Sequence, residues 1–182
     1  MLYTRKGDKG DTGTFGCDQR MSKSSVVAEA LGTLDEVNSF LGVCKVNPDT
    51  KNVLGEGRSF AEMIGWIQQE LFIVQAHVAG ADKTIAQEII GHMEGAINMI
   101  EGEMPPIKTF FVSGGTSLAA SLDFARTLAR RAERRVVAVS EEGKAKIDPT
   151  ILMFLNRLSS LLYAMARLSN HRAGVVEEAP RY

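Results

Sequence analysis

The sequence predicts an all-α fold, a five-helix bundle in a single domain. Three observations carry this. Apolar residues recur at helical spacing through five segments of about 20 residues. The connections between them are short and marked by Gly, Pro, Asn and Asp. No stretch alternates with the period of two that a half-buried strand requires. With 182 residues, 45% hydrophobic and 24% charged, the chain is long enough for a substantial core, and no repeat or linker divides it.

Residues 1–23 are rich in Gly, Lys, Asp and Thr and lack helical or strand period, so they form a segment apart from the bundle of 24–174. The first helix is expected from Ser24 to Lys45, with Val27, Leu31, Leu34, Asn38 and Leu41 on its inner face and Asn47, Pro48 and Asp49 as its stop. A second spans about Arg58 to Gly80, where Ile64, Ile67, Leu71, Val74 and Val78 share a face. A third spans about Lys83 to Glu101. The segment 102–116, GEMPPIKTFFVSGGT, has two prolines and a Gly-Gly pair. It reads as an ordered crossing loop, because Ile107, Phe110, Phe111 and Val112 are too apolar to stand in water. The fourth helix runs from about Ser117 to Glu142. Asp148 as N-cap and Pro149 at the first helical position open the fifth, which ends near Arg172 before Gly174. Residues 175–182 read as a loose tail.

A net charge of −1 argues against a surface built to wrap nucleic acid and leaves room for a local cationic pocket, so the partner is expected to be small. The most apolar stretch, Ile151 to Leu168, is interrupted by Asn156, Arg157 and Arg167, which argues against a membrane span. Cys17 and Cys44 have no ligand-like spacing and no signal sequence precedes them, as in a reduced, cytoplasmic protein. His77, His92 and His171 lie far apart, so no protein-held transition metal is expected.

The stretch that organises the chain is RTLARRAERR, Arg126 to Arg135, with five arginines and one carboxylate. At roughly 100° per residue, Arg126, Arg130 and Glu133 share one face of the helix. Leu118, Leu122, Ala125, Leu128, Ala129, Ala132, Val136 and Val139 form a separate stripe for the core. Charges beside a buried stripe are partly desolvated and act more strongly than on an open surface. The plainer alternative is a solvated basic face with ordinary helix pairs.

Three further groups bear on chemistry. YTRKGDKGDTGTF, Tyr3 to Phe15, combines glycines that let a backbone approach a ligand with lysines and hydroxyls that complete a phosphate cradle; a flexible basic terminus is the alternative. It is not a Walker loop, since no GxxxxGK[ST] is present. Asp35 and Asn38 lie near the apolar face of the first helix, where an acid matters chemically only with an arginine partner. Asn156 and Arg157 lie on the last helix, where Asn156 also reads as a hydrogen-bonded core amide. A glycine-rich cationic loop, an arginine helix and polar groups on two more helices fit a polyphosphate, most economically ATP.

These pieces, in this order, resemble the PduO-type ATP:cob(I)alamin adenosyltransferase family. The resemblance covers nearly the whole chain, through YTRKGDKGDTGTF, Lys23 before EALGTLDEVNS, FFVSGGTS, ARTLARRAERRV and FLNRLSSLLYAMAR. It implies a five-helix bundle assembling as a homotrimer with ATP near the subunit interface. It also implies transfer of the 5′-deoxyadenosyl group of ATP to cob(I)alamin, with release of triphosphate. By motif, Thr4, Arg5, Lys6, Gly7, Thr12, Gly13 and Lys23 cradle the triphosphate, while Arg130, Arg131, Glu133, Arg134 and Asn156 complete the nucleotide site. Arg126 matches the family's catalytic arginine and Asp35 its salt-bridge partner across the interface. Phe110 matches the aromatic residue under the corrin, which favours four-coordinate cob(II)alamin; Phe111 is its neighbour. Mg²⁺ accompanies ATP by bridging its phosphates. A flavoprotein reductase and an adenosylcobalamin-dependent enzyme are the implied partners, with no role for nucleic acid or a membrane. The chain departs from the family after Lys23, where Ser24, Ser25 and Val27 replace an acidic pair and an arginine.

Two other functions fit the same residues. A non-catalytic ATP- or cobalamin-binding escort would bind both ligands without releasing triphosphate. A helical module with a basic face would bind any polyanion weakly and lose it in salt.

Overall fold

The structure is a computed structural model that describes residues 3–14, 20–55 and 57–181. Cys17, and Phe15 at the end of the glycine-rich motif, lie outside the described residues. Five helices dominate: α1 (Val26–Lys45), α2 (Phe60–Val78), α3 (Gln87–Glu103), α4 (Ser117–Glu141) and α5 (Pro149–Arg172). The apolar periodicity locates all five. It gives no sign of two small antiparallel hairpins, β1 (Asp11–Gly13) with β2 (Arg20–Ser22) and β3 (Val53–Gly55) with β4 (Arg58–Ser59). Strands of two or three residues are too short to show a period.

Local chemistry sets the helix ends. Ser25 accepts the Ala28 N–H, so one of the serines that departs from the family pattern caps α1. Ser59 and Glu62 form a reciprocal capping box that starts α2 two residues later than expected. Thr116 accepts the Ala119 N–H at 3.0 Å to open α4, and Asp148 with Pro149 opens α5 as the sequence predicts. Helix α3 starts at Gln87 rather than Lys83, because the preceding residues are tied elsewhere. Ile85 is buried in the core, and the Lys83 carbonyl faces His77 Nδ1 at 2.6 Å. His77 Nε2 accepts the Asp148 N–H at 3.1 Å, so the ring's proton is on Nδ1 and the neutral imidazole joins the end of α2 to the start of α5. That places His77 in a structural role.

Helix α4 lies between α1 and α5 and packs on both more extensively than any other helix pair. Of its apolar stripe, Leu118, Leu122, Ala125, Ala129, Ala132, Val136 and Val139 are buried, and Leu128 is half-buried. Small alanines at 125, 129 and 132 allow close approach, so the arginines on the flanking positions emerge at the edges of the two interfaces. Asn38 is a buried structural amide. Its Nδ2 donates to the Gln68 carbonyl at 3.3 Å and its own backbone carbonyl accepts from Gln68 Nε2 at 3.0 Å.

Helix α5 is long and apolar enough to cross a membrane by composition, but 67% of its most apolar window is buried inside the bundle. Cys44 is buried, and desolvation pushes its thiol up to about 11, which keeps it inert.

The tail is not loose. The Val112 N–H donates to the Glu178 carbonyl at 2.8 Å, and Glu177 pairs with the buried Arg167 at 2.9 Å. Arg167 in turn lies over the Phe111 ring, 4.9 Å from its centroid. A buried guanidinium needs a carboxylate, and the tail supplies it.

Candidate active site

The loop 105–116, α4 and α5 enclose a cavity of about 810 Å³. Phe110 and Phe111 come from the loop, Arg126 and Arg130 from α4, and Ser159, Ser160 and Tyr163 from α5. The two arginines stand one turn apart, so both reach the same space. Aromatic residues and two cations line one volume large enough for a bulky, partly apolar ligand.

Phe110 and Phe111 differ sharply. Phe111 is half-buried under Arg167, whereas Phe110 is 78% exposed at the cavity. The reading of the loop's apolar residues as buried anchors therefore holds for Phe111 alone. Ile107 and Val112 are exposed as well. What orders the loop is polar: Asn170 of α5, itself buried, donates to the Gly114 carbonyl at 3.0 Å and accepts the Thr116 N–H at 2.9 Å.

Arg126 is paired within the chain. Its Nε donates to Asp123 Oδ1 at 2.6 Å, and Ser113 donates to Asp123 Oδ2 at 2.5 Å. Burial pushes the Asp123 carboxyl up. The hydrogen bonds from Arg126 and Ser113, with the arginine's charge, outweigh burial and leave it below the ordinary value. Burial likewise raises the Tyr163 phenol.

The remaining arginines of α4 divide. Arg130 joins Arg126 at the cavity. Arg131 pairs with Glu36 and Arg135 with Glu29 at 3.4 Å, both on α1, so Arg131 is turned away from the cavity. Arg134 is exposed and folds back to the Arg130 carbonyl at 3.0 Å. Glu133 is half-buried and accepts from Asn156 Nδ2 at 3.1 Å. Asn156 is exposed, so the reading as a core amide fails.

The glycine-rich segment forms a second cluster. Lys23 donates its ammonium to the Gly7 carbonyl at 3.0 Å, and Arg20 reaches the Lys6 carbonyl at 2.7 Å and both Asp11 oxygens at 2.8 and 2.9 Å. Those bonds from Arg20 hold the Asp11 carboxyl below the usual range. Arg5 has φ of 58°, a left-handed conformation that non-glycine residues avoid, beside Thr4, Lys6 and Gly7. Thr12 and Gly13 lie on the hairpin strand β1, and among the described residues the Thr12 hydroxyl reaches the Gly13 carbonyl, at 3.5 Å. Lys6 and Gly7 are tied to the hairpin through Arg20 and Lys23, and none of Thr4, Arg5, Lys6, Gly7, Thr12, Gly13 and Lys23 lines the α4–α5 cavity. Asp35 is exposed on α1 and forms no ion pair among the described residues.

Sequence reasoning missed Asp123, Ser113, Tyr163, Arg167, Asn170, Arg20 and Asp11. A signal for the α5 members was present. Asn156, Tyr163, Arg167 and Asn170 fall on one stripe at helical spacing, a polar line along an apolar helix. Arg20 and Asp11 meet only through the hairpin register, which no period revealed.

Comparison with known proteins adds the family. The family model for cobalamin adenosyltransferase matches residues 2–169. The corrinoid adenosyltransferase PduO of Citrobacter freundii is 39% identical over 175 residues, covering 94% of this chain and 50% of that protein. The chain therefore spans about half the length of that relative. A corrinoid adenosyltransferase of Bacillus subtilis is 39% identical over 178 residues, covering 96% of this chain and 89% of that one. Among solved structures, a variant PduO-type ATP:corrinoid adenosyltransferase from Lactobacillus reuteri, complexed with cobalamin and ATP, superposes with a TM-score of 0.89. It is 31% identical, with 100% of this chain and 97% of that one covered. The chain belongs to the cobalamin adenosyltransferase family.

Proposed function

We propose that this chain transfers the 5′-deoxyadenosyl group of ATP to cob(I)alamin. The observation that carries this is the shared cavity, where an exposed aromatic ring, Phe110, stands opposite the paired cations Arg126 and Arg130. A corrin needs an apolar surface, and a departing triphosphate needs positive charge. In the reaction the reduced cobalt attacks the ribose C5′, the C5′–O bond breaks, and the electron pair leaves with triphosphate. Cations placed where that charge grows lower the barrier. Phe110, exposed at the cavity, is suited to exclude a lower axial ligand from the cobalt. Mg²⁺ would accompany ATP as part of the substrate and would help neutralise charge on the departing triphosphate.

The functional unit is a homotrimer whose nucleotide site spans two chains. Three features support this reading. Among the described residues, none of the glycine-rich segment lines the arginine cavity of its own chain. Asp35 stands exposed on α1, available to the Arg126 of a neighbour. An aromatic patch also lies open between α1 and α4, where Phe40 and Phe124 meet edge to face at 4.9 Å and Val43 is 56% exposed. A reductase supplies the reduced corrin and an adenosylcobalamin-dependent enzyme takes the product, in the cytoplasm.

The test is anaerobic incubation of the purified chain with ATP and chemically reduced cobalamin, following corrin absorbance and released triphosphate together. Equimolar adenosylcobalamin and triphosphate are expected. Tight binding of both ligands with neither product would identify an escort instead.

A further inference from the structure

Arg126 is held on one edge. Its Nε and Nη2 both reach Asp123, at 2.6 and 3.4 Å, and Tyr163 of α5 backs the guanidinium with its ring centroid 6.0 Å away. Among the described residues Nη1 takes no hydrogen bond, so the fixed plane presents that group to the cavity, where it can meet a phosphate beside the neighbour's Asp35 proposed above. Asp123 has a second partner, the Ser113 hydroxyl, at 2.5 Å. Ser113 lies three residues after Phe110 in the same loop. An exposed helix pair would do neither job, but the Asp123 side chain is only 13% exposed, and it stays ionised at neutral pH to accept both bonds.

We infer that Asp123 is a positioning residue for adenosyl transfer, aiming Arg126 at the leaving triphosphate and, through Ser113, fixing the Phe110 loop to the same helix. This rests on the adenosyltransferase reading and adds that the corrin loop and the cationic helix are set as one unit. Misplacing a guanidinium by about an ångström costs far more in the transition state than in ground-state binding. Asp123 should therefore show itself in turnover, and Ser113 in corrin affinity.

The experiment measures kcat and both KM values for the unaltered chain, Asp123→Asn and Ser113→Ala, with a melting curve for each. Asp123→Asn keeps the shape and removes the charge; kcat is expected to fall about 10- to 100-fold with the KM for ATP within about threefold. Ser113→Ala cuts only the loop's link; the KM for cob(I)alamin is expected to rise about three- to tenfold with kcat within about threefold. Asp123→Glu, which restores the charge, should recover part of the lost kcat. A carboxylate that merely stabilises the fold would lower the melting temperature and the active fraction and leave this split absent. If Asp123→Asn turns over within about twofold of the unaltered chain, the inference is overturned. Should Asp123→Asn fail to fold, Ser113→Ala decides, and an unchanged KM for cobalamin overturns it. Turnover by the unaltered chain with indifferent variants overturns this inference alone; no turnover by the unaltered chain overturns the adenosyltransferase reading with it.

Discussion

Gly115 lies against Asn170 with no room for a side chain: a Cβ there would overlap the Asn170 side-chain amide. Gly115 also has φ of 92°, where other residues are strained. The same Asn170 amide bonds Gly114 and Thr116 on either side, so one side chain fixes the junction between the Phe110 loop and α4 through two bonds.

Gly115→Ala is accordingly expected to destabilise the chain by about 2 to 4 kcal/mol, from backbone strain plus the clash. Asn170→Ala, which leaves a part-buried carbonyl and N–H unpaired, should cost about 1 to 3 kcal/mol. Urea denaturation checks both. Midpoints equal to that of the unaltered chain would show that the junction is not held here.

The two adjacent phenylalanines should behave differently. Phe110→Ala removes an exposed ring, so stability is expected to stay within about 0.5 kcal/mol while adenosylation of base-on cobalamin slows markedly. Phe111→Ala removes the ring under Arg167 and should cost about 1 to 2 kcal/mol. Melting curves read beside rates distinguish them. A stability loss confined to Phe110→Ala would reverse their roles.

Gly7 matters through Lys23. A Cβ at Gly7 would lie 3.1 Å from the Lys23 ammonium and 3.1 Å from the Asp11 carbonyl, so Gly7→Ala pushes the lysine off its carbonyl. The KM for ATP is expected to rise about three- to tenfold, with the KM for cobalamin unaltered. Initial rates at varied ATP test this, and equal shifts in both constants would separate the hairpin from the nucleotide.

Acid should act partly through Asp123. Its carboxyl is held below the ordinary 3.8 in the folded chain, so the unfolded chain binds the proton more readily. The stability it contributes is complete above the ordinary carboxyl range and is lost as pH falls through 3.8 and below. Asp123→Asn should therefore lose less stability than the unaltered chain between neutral pH and pH about 3. Parallel curves would place the acid sensitivity elsewhere, among the other carboxyls held low, Asp11, Glu62, Glu103 and Asp148.

The bundle is legible in the sequence because burial dictates a stripe. Leu34, Leu41, Ile64, Ile67, Leu71 and Ala125, Ala129 and Ala132 of α4 have to face inward at helical spacing, and they do. Arg126 and Arg130 fall on one face by their spacing of four, and the cavity receives both. Asp123 cannot be singled out that way, because an acid three residues before an arginine is an ordinary helix pair until a cavity and Ser113 surround it. Arg131 looks equivalent to Arg130 in sequence, yet one step round the helix turns it to Glu36 on α1. The tail, too, looks unstructured by composition, whereas the charge of buried Arg167 draws Glu177 onto it. Where burial sets a period the sequence announces the fold; where single polar contacts close a loop or aim a side chain, it carries almost no mark.

The most direct test of the central claim, that the arginine helix acts on the departing triphosphate, is the turnover of Arg126→Ala with its ATP affinity measured separately under anaerobic conditions. The account predicts a fall in kcat of about 100-fold or more with ATP affinity within about threefold, since the interaction strengthens only as charge builds on the leaving group. Equal losses in kcat and affinity would contradict it and make Arg126 a binding residue.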